Sequence, residues 1–408
     1  MTRQPIRLHP LRQKLLEAPL ADVEAAVAAE LDGAGIAAII RPGQRIAITA
    51  GSRGIASIPA VLRAVAASVR RVGADPFLVP AMGSHGGATG EGQLDTLAGL
   101  GVTPESVGAP ILSSMVTVQL GSTESGMPVY LDKNAAGSDG IIVVNRIKQH
   151  TDYAGPLESG LMKMIAIGLG KRDQPERIHA YGSPGLRRHI PEVARYKIEH
   201  APIKMGLALF EDGYERLRAV RACAAADIEA NERMWIEEVR ELAPRIPFDS
   251  LDLLIVEQIG KDISGAGLDT RVIGRMLIPG EPEPDRPRIE RVIALDLTEA
   301  THGNGVGTGL CDFVPRRLVD RINWDVTYTN GIVSGFLQRC FLPIVLEDEK
   351  ACVDAALSTL SRIPFEDLRI ARIRSTLHLD TLLCSEALLR DLAANADLSR
   401  VDAPPLVL

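Results

Sequence analysis

The chain has 408 residues, 46% hydrophobic and 24% charged, a composition typical of soluble globular proteins and a length that points to two domains rather than one core. Its net charge of −7 argues against a nucleic-acid or anionic-membrane partner. There is no run of about 18 apolar residues to span a membrane and no basic start leading into an apolar run to direct secretion. The five cysteines (Cys223, Cys311, Cys340, Cys352 and Cys384) are scattered, odd in number and without a CxxC pair, which argues against a disulfide framework or a thiolate metal site. A reducing, cytoplasmic location is expected.

The first 240 or so residues alternate strand and helix patterns. Arg45–Ala50 reads as a short strand ending at Gly51-Ser52-Arg53-Gly54. Ser57 precedes a helix that runs from Ile58-Pro59 to about Val72, with proline near its start. Asp75–Pro80 is a second strand leading into Gly83-Ser84-His85-Gly86-Gly87, and Thr89 opens a helix to Leu100. Val129 and its neighbours form a hairpin arm, and Gly140–Asn145 is a buried strand. A helix covers Ala225 to about Leu242, and the domain boundary is placed near Pro247.

The second half gives strands at Asp252–Glu257 and Val292–Leu297, a helical region at Phe313–Arg321 and an apolar stretch at Leu342–Leu346. A helix over Glu349–Ile363 and a strand over Leu368–Ile373 follow. The tail Pro404–Leu408 is apolar enough to pack back on a domain. The expected fold is therefore α/β in two domains, a Rossmann-like residues 1–246 and residues 247–408, with the tail after about 395 returning to the first and a cofactor cleft between them.

Three polar segments directly follow predicted strands, where ligands collect in open α/β sheets: Arg53, His85, and Arg146 to His150. The glycine-rich turn at Gly51–Gly54 offers backbone amides to a phosphate or carboxylate, and Arg53 offers a bidentate fork, though a tight turn with a solvated arginine reads equally well. It lacks the GxGxxG spacing of a dinucleotide site. His85 and His150 have the right ordinary pKa for proton transfer near neutrality, yet each alone also fits a plain surface loop. Lys163 lies in the mostly apolar Gly160–Gly168, where an unpaired ammonium is costly unless it reaches water or is modified.

Taken together, these segments resemble the nickel-pincer-nucleotide lactate racemase family and its 2-hydroxyacid racemase and epimerase homologues. The resemblance rests on His150 with Ala154-Gly155, on Ser159-Gly160-Leu-Met-Lys163, and on His179 sixteen residues beyond that lysine. Gly83-Ser84-His85, Ser52-Arg53 and Gln258-Ile-Gly-Lys261 complete it, in order, over about residues 45 to 270. Departures are Ala50 where the family has an aspartate, Glu257 where it has an aromatic residue, and a loop between His150 and Lys163 about three residues longer.

The resemblance implies a covalent nickel-pincer nucleotide on Lys163, with Ser52 and Gly54 also at the cofactor and His179 as the one protein ligand to nickel. Square-planar geometry and imidazole both suit that metal. It further implies His85 and His150 as an acid/base pair on opposite faces of C2, and Arg53, Gln258 and Lys261 as substrate contacts. In that scheme hydride leaves C2 for the cofactor while one histidine takes the hydroxyl proton, and return on the other face inverts the centre. The implied partners are a small 2-hydroxyacid and the separate enzymes that make the cofactor. Two rivals stand beside it: a zinc hydrolase or lyase with His85, His150 and His179 as ligands, and a non-catalytic protein that binds a small ligand.

Overall fold

A computed structural model describes residues 5–52, 54–392 and 395–408. The chain forms two compact units, one of Leu16–Ala243 and one that joins the segment ending at Leu15 to Pro244–Leu408. The opening strand β1 (Arg7–Gln13) thus lies in the second unit, not in the first where sequence order puts it. Among the described residues, no helix is long and apolar enough to cross a membrane.

The first unit is built on a five-stranded sheet of β2 (Arg45–Ala50), β3 (Asp75–Pro80), β6 (Gly140–Arg146), β7 (Ile203–Glu211) and β8 (Leu217–Ala224). Its order is β3-β2-β6-β7-β8, parallel throughout except for the antiparallel edge pair β7–β8. Strands β4 (Thr117–Ser122) and β5 (Pro128–Asp132) form a separate antiparallel pair, the hairpin arm expected around Val129. Helices α1 (Val23–Gly33), α2 (Ile58–Arg71) and α3 (Gly90–Gly99) are followed by α4 (Leu161–Ala166), α5 (Asp173–His179), α6 (Gly182–His200) and α7 (Ile228–Leu242).

The two faces of this sheet differ, and the difference places the site. Ile46, Ile48, Ile142, Val144, Leu207 and Leu209 point to one face and join Val27, Leu31, Val61, Leu62 and Val65 of α1 and α2 in a single core. Strand alternation sends the neighbouring Ala47, Thr49, Gly206 and Ala208 to the other face. These small residues let a helix approach the backbone closely, and α4 does so: a Cβ on Gly206 would lie 2.7 Å from Leu161 Cδ1. Asn145, on the same face of β6, donates from Nδ2 to Gly160 O at 2.8 Å and fixes the start of α4.

The second unit contains a nine-stranded sheet with β9 (Ser250–Ile259), β10 (Arg288–Leu297), β11 (Phe313–Pro315), β12 (Ile344–Leu346), β13 (Ile370–Ile373), β14 (Thr381–Cys384), β15 (Leu398–Arg400) and β16 (Leu406–Val407). β12, β11, β10, β9 and β13 are parallel neighbours, and β14 and β1 extend the sheet antiparallel. β9 and β10 are buried on both sides, Leu254 and Val256 in one cluster and Leu253 and Ile255 in another. Such strands read as continuous apolar runs, which is why they are visible in the sequence.

Two expectations change here. Phe313–Pro315 is strand, paired between β10 and β12, and helix begins only at Arg316. The tail adds its strands β15 and β16 to β1 and so to the second unit. The substitution Gly206→Val is expected to cost about 1–3 kcal/mol through overpacking against Leu161. An unchanged urea-unfolding midpoint would contradict the close approach of α4 to the sheet.

Candidate active site

After β6 the chain turns into a loop closed by Lys148 and Ser159, which exchange backbone bonds of 2.8 and 3.1 Å. His150 lies in that loop and is only 7% exposed. Its own N–H donates to Glu158 Oε2 at 2.5 Å, and Glu158 is ion-paired with Arg240 at 2.5 Å. The Asp152 N–H donates to His150 Nδ1 at 3.1 Å, while the Tyr153 ring stacks on the imidazole at a centroid distance of 4.5 Å. The other ring nitrogen, Nε2, lies 2.8 Å from Lys163 Nζ.

Lys163 is half-buried on α4, and His179 is half-buried at the end of α5. Burial lowers the His179 pKa first, and the nearby Lys163 charge lowers it further, against an opposing pull from Asp152. Lys163, His150 and His179 therefore form one group, although they come from a loop and two helices. A neutral imidazole is the form that binds metal.

His85 is exposed, on the loop after β3. Its Nδ1 is hydrogen-bonded with Ser52 Oγ at 2.5 Å. The loop backbone is anchored from beneath by Gln93, whose Nε2 donates to Gly83 O at 2.9 Å and to His85 O at 3.4 Å. Gln93 Oε1 in turn accepts from Lys171 Nζ at 3.0 Å, and Lys171 is ion-paired with Asp132 at 2.9 Å, both side chains fully buried. The Gly83 N–H donates to Gly168 O at 3.3 Å, which ties this loop to the segment just beyond Lys163. Gly86 holds a positive φ of 67°, and a Cβ there would lie 2.5 Å from the Gly92 backbone, so the turn requires glycine. Gly54 is exposed in the loop after β2, and Arg53 lies outside the described residues.

In the second unit, Gln258 sits near the end of β9, opposite Asp296 of β10, with its N–H donating to Arg374 O at 2.9 Å. Lys261 follows in the loop, its N–H donating to Thr301 Oγ1 at 3.0 Å and its Nζ to Gly265 O at 2.5 Å. Glu257 forms an ion pair with Arg372 at 2.7 Å. Ala50 is buried in the first unit's core.

Among the described residues, no group of three or more His, Cys, Asp or Glu side chains is arranged to hold a metal ion. The three-histidine zinc site is therefore not formed: His150 Nε2 faces Lys163, and His85 is bonded to Ser52. The sequence did not reveal Gln93, Lys171 or Asp132, which lie dozens of residues apart and meet only in the fold.

Lys163, His150 and His179 all lie in the α/β unit of Leu16–Ala243. Residues 8–184 match the family model of the lactate racemase N-terminal domain. The chain is also similar to the lactate racemase apoprotein of Thermoanaerobacterium thermosaccharolyticum, with a TM-score of 0.52 at 13% identity, covering 92% of this chain and 99% of that one. That likeness is one of fold. A protein from Thermotoga maritima is 14% identical over 69% of this chain and 72% of its own, with a TM-score of 0.48. None of the curated proteins matches the chain.

Replacing one partner of a fully buried ion pair leaves an uncompensated charge, so Lys171→Met is expected to cost about 3–5 kcal/mol in chemical denaturation. A loss below about 1 kcal/mol would show that the pair does not support the His85 loop.

Proposed function

We propose that the chain is a racemase or epimerase of a small 2-hydroxyacid that carries a nickel-pincer nucleotide on Lys163, with His179 as the protein ligand to nickel. The observation that carries this reading is the grouping of Lys163, His150 and His179 within the lactate racemase segment. The donor set fits such a group. It offers one amine for a covalent tether and one imidazole whose lowered pKa keeps a nitrogen lone pair available. When bound, the nucleotide would supply a reversible hydride acceptor for C2 of the substrate.

The protein's own task is then to move the hydroxyl proton. His150 is oriented by Asp152, Glu158 and Tyr153 with Nε2 turned toward Lys163. His85 Nδ1 is paired with Ser52 Oγ, which leaves Nε2 as the atom for proton transfer. Each histidine serves the hydroxyl of one enantiomer, so that one takes the proton of the substrate while the other supplies a proton to the product, a contribution of about 10²- to 10⁴-fold for general acid–base catalysis. Tethering removes the positive charge from Nζ, so His150 is no longer held against a cation. Ser52 and Gly54 border the cofactor in this proposal, and Arg53, Gln258 and Lys261 hold the substrate carboxylate or oxyanion. The enzymes that make the cofactor are required partners.

The test uses protein produced together with those enzymes and follows single enantiomers of short 2-hydroxyacids by chiral chromatography. His85→Ala and His150→Ala should each slow interconversion by about 10²-fold or more, with nickel content unchanged. His179→Ala should lose nickel by elemental analysis. A wild-type rate in either of the first two variants overturns the assignment of the acid/base pair.

A further inference from the structure

Lys163 stands on a helix of six residues, Leu161–Ala166. A helix that short cannot sustain itself, since nearly all its peptide groups belong to the unsatisfied first or last turn. Its N-cap residue, Gly160, has no side chain to offer. Two buried charged groups from other helices supply what is missing. At the start, Glu232 of α7 accepts from Met162 N at 2.9 Å through Oε2, and also from the Leu161 amide. At the end, Lys197 of α6 donates from Nζ to Ile165 O at 3.0 Å and Ala166 O at 2.9 Å. Glu232 is 1% exposed and Lys197 0%.

We propose that Glu232 and Lys197 form an ionic clamp that fixes the axis and position of α4, and that both are positioning residues for Lys163. The signs agree with the helix dipole, an anion at the N-terminus and a cation at the C-terminus. Surrounding glycines leave room for the clamp. A Cβ on Gly160 would lie 2.5 Å from the Glu232 carboxylate, and one on Gly170 would lie 3.4 Å from Lys197 Nζ. Both charges sit on otherwise apolar stripes, Ile228-Glu232-Trp235-Ile236 on α7 and Leu186-Ile190-Val193-Lys197 on α6. Hydrophobic residues there would cost the fold less, since burial raises Glu232 to about 7 and lowers Lys197 to about 7. What the charges provide instead is a fixed place for the lysine.

The consequence for catalysis rests on the proposed role of Lys163, whereas the clamp itself does not, and two measurements separate them. The Leu161 and Met162 amides precede the first intrahelical bond, so their protection depends on Glu232. In Glu232→Ala their hydrogen exchange should rise about tenfold or more, while the amides of β2 and β6 exchange as in the wild type. Glu232→Gln, which keeps an acceptor oxygen, should restore protection to within about threefold. With the cofactor-making enzymes present, the rate at which residue 163 gains the cofactor mass should fall about tenfold in Glu232→Ala and in Lys197→Met, and Glu232→Gln should recover most of it. Wild-type protection at 161 and 162 in Glu232→Ala, or wild-type attachment rates in both Glu232→Ala and Lys197→Met, overturns the proposal. If Glu232→Ala does not fold, a wild-type attachment rate in Lys197→Met does the same. Should the wild type gain no mass at Lys163, the functional reading fails and the amide exchange still decides the clamp.

Discussion

The close approach of a short helix to the small residues Gly206 and Ala208 of β7 is the constraint from which the site follows. Gly206 and its alanine and threonine neighbours leave α4 nearly against the backbone of β6 and β7, at a depth where Lys163 meets the loop that leaves β6. A leucine or valine at those positions would push the helix outward and separate the lysine from His150. The opposite face of the same sheet carries the large aliphatic residues and forms the core with α1 and α2. One face provides stability, and the other gives some of it up to bring functional groups together.

The first unit also contains several buried charged groups, and most of them hold the segments that carry candidate residues. Asp132 and Lys171 hold Gln93 and, through it, the His85 backbone. Glu158 and Arg240 hold the His150 loop, and Glu232 and Lys197 hold α4. Desolvating these groups is expensive, and each pairing recovers only part of the cost. An apolar core could position a helix, but it could not satisfy the open peptide groups at the ends of a six-residue one.

Much of the fold is legible in the sequence because its central strands are unbroken apolar runs. Arg45–Ala50, Asp75–Pro80 and Gly140–Asn145 announce themselves that way, and Thr89 caps α3 as its residue type suggests. Phe313–Pro315 misleads because three residues are too few to show a period, and only pairing with β10 and β12 makes them a strand. The place of β1 is not legible, since its partners Thr381–Cys384 lie at the far end of the chain. Within the site, His150, Lys163 and His179 stand out through their spacing once the family resemblance is seen. Glu232 and Lys197 carry a subtler signal, a charge at an apolar-stripe position. Nothing local marks the chain from Asp132 through Lys171 to Gln93, because three separate segments meet only after folding.

The central claim is that Lys163 is the covalent anchor of the cofactor. Peptide mass mapping of protein made with nickel and the cofactor-producing enzymes tests it most directly. The account predicts the added mass on the peptide that contains residue 163, and its absence after Lys163→Ala. Active, nickel-loaded protein with an unmodified Lys163 would contradict it.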